Sequence, residues 1–230
     1  MHMRRYLITT LFLTGLSLPW AAPAHAQGYE SAVGWTGGVL INTSLNEGAS
    51  GTDLLELKPD PIWLLNVHYD RWFGAGYAGI RARGTFSKPV LPWVQGDREI
   101  SVYAADLGIM LRPIPPGPES SILPFISGGV GFIKWGLGDG APTTFDPAGV
   151  TYGGEESVEL VATAGLGIDF VTPWKWGEGP LIIRLEAQDH LQFSSPFEPA
   201  NPEDADFGLI HSLGVVLGFH TGIGLLNGGE

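Results

Sequence analysis

Ionisable residues recur at alternate positions along this chain. Arg81 and Arg83 are two apart, as are His68 and Asp70, and Arg184 and Glu186. In an extended strand successive side chains point to opposite faces, so a spacing of two places both members on one face. Asp106 and Asp169 stand in stretches of the same alternating kind and share the face of these residues. Charges of both signs on one buried face can neutralise one another in a polar plug, because a buried charge needs a partner. They could also line a conduit for small ions, which would require the pairs to open. The plug is the simpler chemistry, with salt bridges from the arginines to Asp106 or Glu186.

A second group could do acyl chemistry. His190, Ser194, Ser195 and Glu198 lie close in sequence. A serine nucleophile needs an imidazole within hydrogen-bond reach, itself oriented by a third group. His190 and Ser194 share a strand face but stand about 13 Å apart along it, at a rise of roughly 3.3 Å per residue. His211 could approach from a neighbouring strand, but its alternation points it outward. Polar residues at a loop edge account for the set more simply. Acidic side chains in the connections offer oxygen ligands for divalent cations. No Asp-x-Asp-x-Asp-Gly loop organises them, and no nucleotide loop, His-Glu-x-x-His helix or Gly-x-Ser-x-Gly elbow is present. No catalytic, cofactor or metal site is therefore expected, and no cofactor.

The elements that must position these residues begin after an export signal. Arg4 and Arg5 precede an apolar run over 7–18, and Ala24-His25-Ala26 fits a small-x-small cleavage site. Residues 1–26 are read as a cleaved signal peptide. Cysteine is absent, which excludes disulfides, cysteine nucleophiles and cysteine-ligated metals. The formal net charge is −12, the wrong sign for a nucleic-acid partner. The chain holds 34 glycines and 25 aromatics among 230 residues, with only 16% charged. An ordinary globular domain is about 25% charged. No later segment has 18 consecutive apolar residues, but many alternate with period two. Eight strands are expected, over 29–44, 61–72, 76–88, 99–112, 122–136, 156–172, 180–195 and 207–222. The connections alternate between short and mostly longer, and the longer ones hold much of the acid.

The polar face of these strands is mostly Gly, Ser and Thr with a few charges of both signs. A water-facing surface would be richer in Lys and Glu; a narrow lumen needs small residues. The apolar face, which includes Leu107, Leu166 and Val215, is then the lipid face. Leu40, Leu64, Val102 and Ile210 are the inward apolar candidates. Aromatics near strand ends would form interfacial girdles: Trp72, Phe73, Tyr77, Trp174 and Trp176 on the short-turn side, and Trp93, Trp135, Phe193, Phe197 and Phe207 on the long-loop side. The expected fold is all-β, an eight-stranded antiparallel up-and-down transmembrane β-barrel. The barrel spans 27–222, and a short tail covers 223–230.

Three segments carry a resemblance. Pro124-Phe125-Ile126-Ser127-Gly128-Gly129-Val130-Gly131-Phe132 resembles the fifth-strand segment of small bacterial outer-membrane barrels. Arg184-Leu185-Glu186-Ala187-Gln188-Asp189 resembles their seventh-strand Arg-x-Glu segment. His211-Ser212-Leu213-Gly214-Val215-Val216-Leu217-Gly218-Phe219 resembles the closing strand with its assembly signal, although this chain continues to Glu230. The resemblance is to the OmpA transmembrane domain, OmpX and OmpW type. It implies a periplasmic N-terminus and the outer membrane of a Gram-negative-type bacterium. The implied partners are outer-membrane lipid, lipopolysaccharide and the barrel-assembly machinery, with a monomer expected. The implied role is structural or interactive at the envelope. Passage of small hydrophobic molecules or ions is an alternative, and lipid A acyl chemistry a second.

Overall fold

The structure is a computed structural model describing residues 29–42, 61–73, 76–91, 98–114, 116, 120–136, 144–145, 152–153, 157–193, 198–199 and 209–225. The proposed signal peptide, most of the long connections, and Trp93, Ser194, Ser195, Phe197 and Phe207 lie outside the described residues.

Eight long strands close into a barrel. They are β1 (Tyr29–Asn42), β2 (Ile62–Phe73), β3 (Ala78–Ser87), β4 (Ser101–Leu111), β5 (Ile122–Gly136), β6 (Ser157–Trp176), β7 (Gly179–Gln192) and β8 (Ile210–Leu225). Each pairs antiparallel with its sequence neighbours, and β1 pairs with β8 to close the ring. Closure leaves no strand edge unpaired, the condition for crossing lipid with strands. Two-residue strands at Val90–Leu91 and Arg98–Glu99 pair beyond the rim, as do Thr144–Phe145, Tyr152–Gly153 and Glu198–Pro199.

Short turns join the strands at one end. Gly76 and Gly177 lie there with φ of 83° and 69°, the left-handed region that favours glycine. Gly76 also donates its N–H to the Phe73 carbonyl at 3.0 Å. Two strands run well past their expected ends. β6 continues to Trp176, with a register shift between Val171 and Lys175 where Pro173 supplies no N–H. β8 runs to Leu225, past the expected end at 222, because Ile223 and Leu225 still pair with Ser31 and Tyr29.

The exterior is apolar at every strand. Leu107 is 69% exposed, Val130 63% and Leu166 62%. A continuous apolar belt around a closed sheet is a surface for lipid, since water would penalise it on all sides. Phe73, Tyr77, Trp174 and Trp176 are exposed at the short-turn end. Trp63, Phe86 and Tyr103 form an outward aromatic row at the loop end, with ring centroids 5.5 and 5.1 Å apart along it. Phe193 is exposed at the same end.

Trp72 and Trp135 correct the expected girdles. Both are buried in the lumen. Trp72 has the parity of Asp70 on β2, and Trp135 that of Ile133 on β5, so strand alternation overrides their position near strand ends.

The lumen is filled by large side chains made possible by glycines opposite them. A Cβ at Gly167 would collide with the Phe125 ring, whereas one at outward Gly84 would meet nothing within 4 Å. Gly167→Val is therefore expected to destabilise the barrel by about 1–3 kcal/mol through overpacking. Gly84→Val should stay within roughly 0.5 kcal/mol of the parent. Urea unfolding in lipid vesicles, followed by tryptophan fluorescence, measures both.

Candidate functional site

The candidate site is the lumen, and its chemistry follows from parity. The inward faces bring Asp70 and His68 from β2 together with Arg81 and Arg83 from β3 and Asp106 from β4. They also bring in Asp169 from β6, Arg184 and Glu186 from β7 and His220 from β8. All are buried.

The ionised groups form one alternating chain. Arg184 holds Asp169 through Nε at 2.6 Å and Nη2 at 2.9 Å, and reaches Asp70 through Nη1 at 2.6 Å. Arg81 donates to Asp70 through Nε at 2.8 Å and to Glu186 through Nη1 at 2.7 Å. Arg83 lies 3.5 Å from the same Glu186 oxygen and donates to Asp106 at 2.9 Å. Arg112 closes the short-turn end, 3.4 Å from Asp169. Four guanidinium groups thus alternate with four carboxylates, and the chain carries no formal net charge. Buried pairs of this geometry are tolerated because every charge has an opposite one beside it; only Arg112 keeps two nitrogens, Nε and Nη1, without a hydrogen-bond partner.

Arg112 is the member that sequence reasoning missed. It lies one step beyond Met110 on the inward face of β4 and could have been found by extending the alternation. Its guanidinium stacks on the Trp72 ring at 3.5 Å and donates to the Tyr29 hydroxyl at 2.6 Å. Tyr29 in turn donates to Asp169. Trp72 is therefore placed inward by a cation–π contact as well as by parity. Arg81 and Arg184 both lie over the Phe125 ring, 5.1 and 4.5 Å from its centroid. Beneath them, Tyr29, Ala32, Trp72, Met110, Leu123, Phe125, Val171 and Ile182 form an apolar floor.

Above the ion pairs the polar groups are neutral. Asn66 donates to Thr36 and Gln188, each at 3.1 Å, and accepts from Thr85 at 2.8 Å. Trp135 donates to Gln192 at 3.1 Å. At the level of the ion pairs, beside Asp70, His68 and His220 meet with ring nitrogens 2.9 Å apart. Together with Asp70 they place three possible ligand atoms within 4.8 Å of one another. Both Asp70 oxygens already bond Arg81 and Arg184, whose charges oppose a cation there. The cluster is hydrogen-bonded into the interior.

Of the residues weighed for acyl chemistry, Ser194 and Ser195 lie outside the described residues, and the two histidines face opposite sides of the wall. His190 points into the lumen and His211 to the outer face. His211 meets Asp189 at 2.8 Å, and Asp189 also accepts from the Ser212 backbone at 3.2 Å. Glu198 pairs with Gly153 beyond the rim.

A closed eight-stranded ring with a lipid-facing exterior and a neutral, side-chain-filled interior defines the class: a small transmembrane β-barrel of the outer-membrane type. Solved structures share this fold. The Neisserial surface protein A crystal structure aligns with a TM-score of 0.51 at 8% identity, over 84% of this chain and 97% of that one. The outer membrane protein OprG from Pseudomonas aeruginosa aligns at 0.48 and 11% identity, over 86% and 98%. The outer membrane enzyme PagL aligns at 0.41 and 13% identity, over 82% and 99%. No family model and no curated relative matches the sequence. At these identities the likeness is one of fold.

The network makes Arg184 and Arg71 a direct contrast. Arg184→Ala leaves Asp70 and Asp169 buried without their shared cation and is expected to cost about 3–5 kcal/mol. Arg71 pairs with Glu30 at 2.8 Å, but both side chains are nearly half exposed. Arg71→Ala is expected to cost at most about 1 kcal/mol. Equilibrium unfolding of the two variants in vesicles checks the ranking.

Proposed function

We propose that this protein is a sealed outer-membrane barrel with a structural or surface-interaction role at the envelope of a Gram-negative-type bacterium. The single observation that carries the reading is the unbroken alternation of Arg112, Asp169, Arg184, Asp70, Arg81, Glu186, Arg83 and Asp106 across the lumen. An ion crossing the barrel would have to break these pairs inside a low-dielectric wall, where each separation is costly. The apolar floor below them adds a second barrier.

In this reading residues 1–26 direct export and are removed, and the barrel-assembly machinery inserts the mature chain. The short turns face the periplasm and the acidic connections face outward, beside lipopolysaccharide. The barrel acts as a monomer, because closure satisfies its strand edges internally. It is not an enzyme: its functional surface is the loop-side end, and the lumen serves as a rigid core that holds that end in place.

Planar-bilayer recording of the purified protein tests the seal. No steady open level is expected at neutral pH. A stable, ohmic conductance of porin size would overturn the reading and favour an ion path.

A further inference from the structure

One contact at the level of the ion pairs joins two groups of the same kind. His68 on β2 and His220 on β8 flank Gly34 of β1 in register. Gly34 has no side chain to keep them apart, and a Cβ there would collide with the His220 ring. The two imidazoles therefore meet across β1, with ring nitrogens 2.9 Å apart and ring centroids 4.2 Å apart. Both are buried. Two neutral rings satisfy this contact, one nitrogen donating and the other accepting. Two imidazoliums do not, because every ring nitrogen then carries a proton and like charges repel at contact distance.

The pair stands beside the centre of the ion-pair chain. Asp70 lies two residues from His68 on the same face, with ligand atoms of all three residues within 4.8 Å of one another. Asp70 is also the link that joins Arg112–Asp169–Arg184 to Arg81–Glu186–Arg83–Asp106. Around the two rings, β2 presents Asp70, β3 presents Arg81 and Arg83, and β7 presents Arg184. β1 contributes only the Tyr29 hydroxyl, which is committed to Asp169. Arg83 is the cross-strand partner of His68 and is held by Asp106 and Glu186. Asp169 is held by Arg184 and Arg112, and Glu186 by Arg81 and Arg83. The rings thus stand among three guanidiniums, and the one carboxylate beside them is already shared by two of these.

We propose that the His68–His220 pair is a proton-operated latch on the lumen, a regulation that rests on the sealed-barrel reading. While both rings are neutral, Asp70 stays with Arg81 and Arg184, and the ion-pair chain is unbroken. As pH falls and the rings take up protons, the balanced interior gains one positive charge for each. The imidazoliums repel one another and compete with the guanidiniums for Asp70. Drawing Asp70 away leaves Arg184 with Asp169 and Arg81 with Glu186, so the ion-pair chain parts at its centre. The same two guanidiniums lie over Phe125 of the apolar floor, so freeing them also loosens the floor. Acid thereby opens a path for small ions that neutral pH keeps closed.

Planar-bilayer recording of the full barrel between about pH 7.5 and pH 4 tests the latch. The frequency of open events is expected to rise at least about tenfold across that range. His68→Gln and His220→Gln place a side chain that stays neutral in the pair, and each should hold the rise below about twofold. His190→Gln removes a buried imidazole outside the pair and should keep the full rise. A closed level at neutral pH and the far-ultraviolet spectrum verify folding of each variant. The parent gives a second readout that needs no variant. With ¹⁵N-labelled histidine in lipid nanodiscs, two imidazoles besides outward His211 should gain protons as the open events appear. No rise in the parent, or an undiminished rise in either pair variant, as titration of the carboxylates alone would give, overturns the latch. So does an equal loss in His190→Gln, or opening without that protonation. A steady open level already present at neutral pH overturns the sealed-barrel reading instead, so the two fail separately.

Discussion

Arg184 is the interaction on which the interior turns. Its side chain binds Asp169 through two nitrogens and Asp70 through a third, and its guanidinium lies over Phe125. Three strands are joined through one planar fork, a geometry lysine could not reproduce because its ammonium is a point charge without bidentate reach. The same group connects the two ends of the ion-pair chain: Arg112 and Tyr29 beyond Asp169, Arg81 and Glu186 beyond Asp70. The barrel wall is held by backbone ladders, but those ladders fix only the spacing of strands. Which residues face one another across the hollow depends on the charges finding partners, and so does the neutral balance that permits burial at all.

That dependence explains the glycines. An eight-stranded ring leaves an interior just wide enough for side chains to fill. Large inward side chains fit where the adjacent strand is bare beside them. Gly165 faces Ser127 and Glu186, Gly167 faces Phe125, and Gly34 faces His220. The composition that sets this chain apart therefore has two causes. Apolar residues serve the lipid face, and small residues make room for a few large charged ones inside.

Much of this was legible as parity. Alternation placed Arg81, Arg83, Asp106, Asp169, Arg184, Glu186, His68 and Asp70 on one face, and it also set Leu40, Leu64, Val102 and Ile210 inward. Parity is a local property, so it reads directly from neighbouring residues. Trp72 and Trp135 were misread when their place near a strand end was weighed above their parity. The rule that aromatics gather at interfaces describes outward positions only. The pairings themselves were less legible. That Arg184 reaches both Asp169 and Asp70 depends on register across β6, β7, β8, β1 and β2, where a slip of one residue would invert every face. No short motif encodes that register. Which buried polar atoms go without a partner, Arg112 Nε and Gln192 Nε2 among them, was beyond sequence reasoning altogether, since it is defined by what their neighbours already bond.

The two halves of the lumen therefore follow different physical rules. In the short-turn half, charged groups lie on an apolar floor, and each charge is held by an opposite one or by an aromatic face. An unmatched charge there would cost more than the packing gains. In the loop-side half the polar groups are uncharged, so incomplete pairing costs far less and can persist in a stable fold.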